Sequence, residues 1–360
     1  MENITFKCPT EILFMDDSLD HIGEVLAEHK YQKIVFLFGT SSLKKSGKYD
    51  KIINSLKKNN IEHLDLGGIT PNPEVSFVRK HIKEVKVYKP DCILAVGGGS
   101  VLDTAKAFAN SYYYDGDPLD FNKKIIKPLQ SLPLVTVITI SAAGSEMSDS
   151  SVLSEYETNF KSGFNDIHNR PTLSIEDPSL TLEVSEFQTC CGLVDIISHS
   201  FERYFSPSSK FEPCDYLALG IIKNIVDITP ILLQNPSNYE ARRAMMISST
   251  LSHNGITSFG KNMCFICHQA EHKLSGRHPQ IAHGLGLRFL LDKFLEVNKE
   301  ALSDKIVNFG KTVFGVASSN PDYSISAFSD YLASLPISKS MNELGISQEE
   351  ENEYISMLKI

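Results

Sequence analysis

Apolar residues in the first half of the chain follow two alternating patterns. Continuous apolar runs occupy residues 33–39 (KIVFLFG), 91–99 (DCILAVGGG) and 132–140 (LPLVTVITI), and such runs are typical of buried parallel strands. Between the first two runs, residues 48–59 and 73–89 space their apolar side chains three and four apart, which predicts amphipathic helices. The alternation of strands and helices predicts an α/β fold with a parallel sheet.

The second half of the chain has a different pattern. From about residue 180, long stretches with helical spacing are broken by Pro, Gly and Asn, and few strand-like runs occur. The pair Asp177-Pro178 lies at this change, and the residue before a proline disfavours helix. We therefore predict an α/β domain at residues 1–178 and an all-helical domain at residues 179–360.

Composition narrows the possible partners. The 360-residue chain is 42% hydrophobic and 22% charged, with a net charge of −9 and seven cysteines. It has no basic block and no run near the ~18 uninterrupted apolar residues typical of a membrane span, so we expect neither a nucleic-acid partner nor a membrane partner. The first residues lack the layout of a secretory signal, and an odd number of cysteines fits reduced thiols. We expect a cytoplasmic protein with a small-molecule partner.

A glycine-rich turn follows the second predicted strand. Residues 97–100 read Gly-Gly-Gly-Ser, and a helical stretch follows for which Ser100 is the predicted N-cap. Glycines allow close approach of a ligand, and the start of a helix attracts an anion, so the turn is suited to a phosphate. It is not G-x-G-x-x-G, and a tight turn without a ligand is the alternative. Polar loops at 38–47 and 140–148 follow the other two strands, which favours one shared nucleotide pocket at the sheet edge.

Four side chains in the second half have the chemistry of a metal site. Asp195 and His199 are four residues apart, so they share one face of a predicted helix. His268 and His283 offer two further imidazoles. One carboxylate and three imidazoles suit Fe²⁺ or Zn²⁺. Each histidine alone is more often an ordinary core or surface residue, so the prediction depends on the whole set.

The stretch CFICHQAEH (264–272) has two other interpretations. Cys264, Cys267 and His268 match the C-x-x-C-H of covalent haem attachment, and His268 to His272 match the H-x-x-E-H of a group of metalloproteases. The absence of an export signal disfavours haem attachment. The protease interpretation leaves the glycine turn and the pair Asp195 and His199 unexplained.

Several segments together resemble the iron-containing alcohol dehydrogenase family. They are GGGSVLDTAK (97–106), VDIISHSFERYF (194–205), SHNGI (252–256) and the run from HQAEHKLS to AHG (268–284), and the similarity is greatest to its butanol dehydrogenase and aldehyde reductase branch. The resemblance covers nearly the whole chain. It implies a dehydroquinate synthase-like fold, in which residues 1–178 form the dinucleotide-binding domain and residues 179–360 form the metal- and substrate-binding domain. It also implies a homodimer and a divalent metal on Asp195, His199, His268 and His283. The implied cofactor-binding residues are Gly39, Ser41, Ser42, Gly98, Gly99, Ser100, Asp103, Thr139, Ser145 and Lys161.

The resemblance also bears on the cofactor. Thr40 stands where NAD-preferring relatives often carry an aspartate, and a carboxylate there would repel a 2′-phosphate. Ser41, Ser42, Lys44 and Lys45 could instead receive one, so NADP(H) is favoured over NAD(H). The chain departs from the family pattern in three places. Ala143 replaces a threonine beside the nicotinamide, and an insertion lets His278 or His283 be the last metal ligand. We expect His283, because Gly284 follows it. We also expect the chain to stop short of the final helices typical of the family.

The predicted reaction is reversible hydride transfer between NADP(H) and a small primary alcohol or aldehyde at the cleft between the two domains. His272 is the candidate catalytic residue, relaying a proton to water, and Glu271 is expected to face elsewhere, toward solvent or a salt bridge. Met263, Cys264 and Phe265 are candidates for the substrate wall. The alternatives are a glycerol dehydrogenase-like polyol oxidoreductase and a catalytically impaired relative that binds metal or nucleotide.

Overall fold

The computed structural model describes residues 5–206, 213–338 and 340–360. The chain folds into two compact units. One unit comprises residues 7–140 and 145–181, and the other comprises the described residues of 182–360 together with residues 5–6 and the short segment 141–144. The second unit thus includes a piece of the loop after the third predicted strand, which a single domain boundary cannot express.

The first unit is built on a six-stranded parallel sheet with the strand order β1-β8-β5-β4-β2-β3. Its strands are β1 (Glu11–Phe14), β2 (Lys33–Gly39), β3 (Glu62–Ile69), β4 (Cys92–Gly97), β5 (Leu134–Ile138) and β8 (Leu173–Glu176). A separate antiparallel hairpin pairs β6 (Ser150–Glu155) with β7 (Phe160–Asn165). The helices are α1 (Ser18–Glu28), α2 (Ser42–Lys45), α3 (Lys48–Lys58), α4 (Val75–Tyr88) and α5 (Gly99–Ser111).

The order of the strands brings three predicted loops to one edge. β2 lies beside β4, and β4 lies beside β5, so the carboxyl ends of these three parallel strands are neighbours. Thr139 N donates to Gly97 O at 3.1 Å, which ties the loop after β5 to the glycine turn. Since the chain runs from β2 outward to β3 and then back across to β4, this edge is a topological switch point, where open α/β sheets bind ligands.

Burial explains why these elements form. Every residue of β4 and β5 is buried, as continuous apolar runs require. Helix α1 begins at Ser18, whose backbone N donates to Asp177 Oδ2 at 3.0 Å. Asp177 therefore caps a helix far away in the sequence, and it accepts a second backbone bond from Ser179 N at 2.9 Å.

In the described part of residues 182–360, the regular elements are all helices. They are α6 (Glu186–Phe205), α7 (Pro213–Gln234), α8 (Tyr239–His253), α9 (Ile266–Arg277), α10 (His283–Val297), α11 (Ser303–Phe314), α12 (Pro321–Ser334) and α13 (Gln348–Ser356), with short 3₁₀ turns between some of them. Helix α6 is the central helix: nearly all of it is buried, and it packs against α7, α8 and α10. In the helical core, the Phe201 ring stacks on Phe328 and packs edge-on against Phe294 and Phe309. The Phe205 ring packs against Phe294 and Phe309. The predicted fold class, a parallel α/β part followed by a helical part, is confirmed.

Among the described residues, one helix is long and apolar enough to cross a membrane by length and composition, namely α7. Core helices pass the same test, and Ile222 and Ile225 of α7 are buried in the helical core.

Candidate metal centre and cofactor-binding edge

Helix α6 presents two of the predicted metal ligands from one buried face. The helix begins after Ser185, whose side chain accepts from Gln188 N, and Asp195 and His199 follow one turn apart. Both residues are only 4% exposed. Burying a carboxylate and an imidazole costs free energy unless they are paired or bind a metal.

Helices α9 and α10 supply the other two predicted ligands. His268 lies in the first turn of α9, and His283 is the first residue of α10. Gly284 lets α10 cross α6 closely, because a Cβ at this position would lie 2.1 Å from the carbonyl oxygen of Cys191. This close crossing brings His283 to Asp195, four residues after Cys191.

The three imidazoles all face Asp195, and the ligand atoms of Asp195, His199 and His268 lie within 4.8 Å of one another. From Asp195 Oδ1, the distance is 3.4 Å to His199 Nδ1, 3.9 Å to His268 Nε2 and 3.8 Å to His283 Nε2. Ligand atoms ~2.1 Å from a tetrahedral ion are roughly 3.4 Å apart, so the distances from Asp195 Oδ1 fit a small divalent cation. His278 is elsewhere: its Nε2 lies 2.9 Å from Glu350 Oε1.

Two ring nitrogens of this cluster are buried and make no hydrogen bond to any described residue, namely His199 Nδ1 and His268 Nε2. Burial, reinforced by the neighbouring His253 and His268, holds the pKa of His199 well below its ordinary value. A neutral imidazole with an available lone pair is the form that binds a metal. The residues present therefore fit a divalent cation.

Two carboxylates hold the outer nitrogens of the histidines. Glu202, one turn beyond His199 on α6, accepts from His268 Nδ1 and, at 2.6 Å, from Cys267 N. Glu271 of α9 accepts from His283 Nδ1 and is fully buried. Burial lowers the pKa of His268, but the charge and hydrogen bond of Glu202 outweigh this and raise it overall.

The expectation that Glu271 faces away from the site is therefore wrong. The prediction considered α9 alone, but α10 packs against the side of α9 that carries Glu271. Gly286 of α10 provides the room, since a Cβ there would lie 3.0 Å from Glu271 Cγ. Glu271 does form a salt bridge, and its partner is the proposed ligand His283.

Other residues complete the surroundings. The His272 ring centroid lies 5.7 Å from that of His283, and both side chains are half-buried, so one side of the cluster is accessible. His253 of α8 packs edge-on against His199 with 4.0 Å between ring centroids. Phe265 packs edge-on against His268, with 5.6 Å between centroids. Cys264 N donates to Ser206 Oγ at 3.1 Å, and the cysteines are free thiols.

The glycine turn of the first unit differs from the prediction in one respect. Helix α5 begins at Gly99 with Gly98 as its N-cap, so Ser100 does not cap it. The helix starts earlier because the backbone of Gly98 is extended, which leaves Ser100 inside the first turn, where its carbonyl accepts from Thr104 Oγ1 at 2.8 Å. A Cβ at Gly97 would lie 2.6 Å from Val101 Cγ2, so glycine allows this tight turn.

A buried polar network supports the same edge. Lys106 is fully buried and donates to Ser145 Oγ at 2.8 Å and to Ser150 O at 2.7 Å, while Ser145 Oγ donates to Asp103 Oδ1 at 2.7 Å. Burial lowers the pKa of Lys106 to about 8 and raises the pKa of Asp103. The network fixes two predicted cofactor-binding residues, Asp103 and Ser145, relative to each other.

Lys161 and the loop after β2 occupy defined positions. Lys161 Nζ donates to Asn72 Oδ1 at 3.0 Å. Gly39 ends β2, and Ser41 and Ser42 lie at the start of the short helix α2. Lys44 Nζ lies 4.6 Å from the ring centroid of Tyr49, a cation–π contact that holds this lysine beside the loop.

Sequence reasoning missed Glu202, His253, Lys106 and Asn72. Glu202 carried one signal: Asp195, His199 and Glu202 are spaced as one face of a helix. His253 and Lys106 lie within segments that carry the family resemblance, but the sequence does not reveal their partners, which lie on distant elements.

Comparison with known proteins agrees with the geometry. A family model described as iron-containing alcohol dehydrogenase matches residues 9–178, and one described as the C-terminal part of the Fe-containing alcohol dehydrogenase family matches residues 189–357. NADH-dependent butanol dehydrogenase A from Clostridium acetobutylicum is 35% identical over 97% of this chain and 91% of its own length. NADPH-dependent aldehyde reductase from Escherichia coli is 29% identical over 91% of this chain and 84% of its own length.

Solved structures show the same fold. The crystal structure of NADH-dependent butanol dehydrogenase A from Thermotoga maritima superposes with a TM-score of 0.94 at 34% identity, covering 99% of this chain and 90% of that one. The chain belongs to the iron-containing alcohol dehydrogenase family, as the sequence resemblance implied. It is an oxidoreductase of the alcohol dehydrogenase and aldehyde reductase type.

Proposed function

We propose that this enzyme interconverts small primary alcohols and aldehydes with NADP(H), using a divalent metal on Asp195, His199, His268 and His283. The observation that carries the proposal is the convergence of three imidazoles on Asp195 Oδ1 at 3.4 Å to 3.9 Å. When bound, the cation would supply a Lewis acid beside the reacting oxygen, and the nicotinamide would supply or accept the hydride.

The protein's own residues would perform the remaining tasks. The backbone of the glycine turn and the start of α5 bind the cofactor phosphates, and the network of Asp103, Ser145 and Lys106 keeps that edge in place. Phe265 beside His268 gives the reacting end an apolar neighbour, which favours a simple aldehyde over a polyol. His272, next to His283 and half-buried, moves the proton between the site and water.

The test of the metal-dependent activity is aldehyde-dependent oxidation of NADPH by protein reconstituted with Fe²⁺ or Zn²⁺. His268→Ala and His283→Ala should abolish turnover, whereas His278→Ala, which loses only the pair with Glu350, should not. Butanal and glycerol should be compared in the same assay. Equal rates for wild type and His268→Ala would refute the mechanism, and bound metal without turnover of any substrate would favour the impaired relative.

The role of His272 is tested by a pH profile. His272→Gln should lower kcat by roughly tenfold or more and remove one limb of the profile, because general acid–base groups contribute at least that much. A histidine that only packs in the helix would leave the profile unchanged.

The cofactor preference rests on the loop 39–46, which contains no carboxylate and carries Lys44 and Lys45. The relatives above are named for NADH and for NADPH, so the ratio of kcat/KM for the two cofactors must be measured. Thr40→Asp should lower kcat/KM for NADPH and spare NADH, since a carboxylate repels the 2′-phosphate. An unchanged ratio would contradict this use of the loop. Assembly as a homodimer stays a prediction, to be checked by light scattering.

A further inference from the structure

We infer that Glu202 and Glu271 are positioning residues that fix the proton of His268 and His283 on Nδ1, so that both Nε2 atoms are available to a metal. The inference rests on the proposed metal site and deepens it, because neither glutamate is one of the proposed ligands. It is based on two contacts: a buried one from His268 Nδ1 to Glu202 and a partly buried one from His283 Nδ1 to Glu271.

The charge of each glutamate makes these contacts directional. Glu202 is 2% exposed and Glu271 is 0% exposed, and an ionised carboxylate is an acceptor only. The imidazole nitrogen that faces it must carry the proton, so the other nitrogen keeps its lone pair. His268 Nε2, at 3.9 Å from Asp195 Oδ1, is the nitrogen that faces the cluster.

The carboxylates also join the helices that form the site. Glu202 lies on α6 and holds a histidine of α9, while Glu271 lies on α9 and holds the first residue of α10. Each proposed ligand outside α6 is thus anchored by a neighbouring helix. A carboxylate behind a ligating histidine typically contributes about 10–100-fold to metal affinity.

At position 202, glutamine should do more than remove a charge. Glu202 Oε1 accepts from Cys267 N at 2.6 Å, and a glutamine would turn its only oxygen toward this N–H. Its NH₂ group would then face His268 Nδ1 and donate to it. The proton of His268 would move to Nε2, the nitrogen that must bind the metal. Glu202→Gln should therefore weaken metal binding while preserving the shape of the side chain.

The chain offers a matched control. Glu350 and His278 form another glutamate–histidine pair at 2.9 Å, and its histidine follows the same helix, α9. Glu350→Gln makes the same chemical change away from the proposed ligands. The apo form of each variant is first compared with wild type by thermal unfolding.

The experiment measures the Kd of Co²⁺ and Zn²⁺ by chelator competition, without substrate or cofactor. We expect one metal per chain for wild type and Glu350→Gln, and a Kd roughly 10–100-fold weaker for Glu202→Gln and Glu271→Gln. The visible spectrum of the Co²⁺ form should also change in the latter two. If Glu202→Gln fails to fold, Glu271→Gln decides.

The outcomes separate this inference from the proposed function. Wild-type affinity in the folded glutamine variants, with one bound metal lost in His268→Ala, would overturn the positioning role and leave the metal site intact. Equal metal binding by wild type and His268→Ala would overturn both.

Discussion

Gly284 offers the sharpest test of how the helical unit builds its metal site. Gly284→Ala would place a Cβ 2.1 Å from Cys191 O, 2.7 Å from Cys191 C and 2.8 Å from Cys191 Cα. All three atoms belong to the backbone of the buried helix α6, so none can move aside as a flexible side chain would. Cβ contacts below 3.0 Å are essentially never observed, so α10 must retreat by about 0.9 Å.

This retreat has two measurable consequences. Overpacking of this kind costs about 1–3 kcal/mol, and each kcal/mol lowers Tm by roughly 2–4 °C in a unit of this size. His283 precedes Gly284, and a binding constellation tolerates shifts of only about 0.5 Å. We therefore expect a lower Tm for the apo protein and a Kd for Zn²⁺ that is weaker by at least about tenfold.

Gly220→Ala is the control for this substitution. Gly220 is exposed within α7, and a Cβ there meets nothing within 4 Å. The same chemical change should raise stability by roughly 0.5–1 kcal/mol, because glycine is unfavourable inside a helix. Differential scanning calorimetry and chelator competition on both variants give the comparison. Unchanged stability and metal affinity in Gly284→Ala would show that the crossing of α6 and α10 is not constrained as described.

Three further predictions concern other parts of the fold. The pKa of Lys106 is lowered to about 8, so the folded state loses this proton at a lower pH than the unfolded state does. The free energy of unfolding should therefore rise by up to about 3 kcal/mol between pH 8 and pH 10.5. Urea titrations should show this rise in wild type but not in Lys106→Met. Asp177→Ala removes the buried cap of α1 and should cost about 1–3 kcal/mol in the same assay; a smaller loss would mean that Ser18 finds another partner. Hydrogen bonds from Arg277 and Lys273 lower the pKa of Glu353 to about 2. The anchoring of α13 by Glu353 is therefore complete above the ordinary carboxyl pKa and is lost as the pH falls toward 2. Amide exchange in α13 should accelerate over that pH range, but less so in Glu353→Gln.

The sequence predicted those strands that are buried on both faces. β2, β4 and β5 are continuous apolar runs, and the structure places them beside one another. β3 was missed because it is an edge strand with a half-exposed EHLDLGGI pattern. The hairpin of β6 and β7 was missed because its strands are rich in Ser and polar residues, and Asn159 turns between them with a φ of 53°.

The same limit applies to the site. Helical spacing pairs Asp195 with His199, and the structure brings His268 and His283 to them. Spacing cannot reveal which residue lies behind a ligand when the partner is on another helix. Glu202 and His268 are 66 residues apart in the chain, and only the crossing of α6 and α9 makes them neighbours.

The proposed metal site and the proposed cofactor site belong to different units of the chain. All four proposed metal ligands belong to the helical unit, and all the predicted cofactor-binding residues belong to the α/β unit. Substitutions at sites that share no partners tend to have additive effects. An engineer could therefore exchange NADPH for NADH through the loop 39–46, or one cation for another through α6, α9 and α10, and optimise each trait independently.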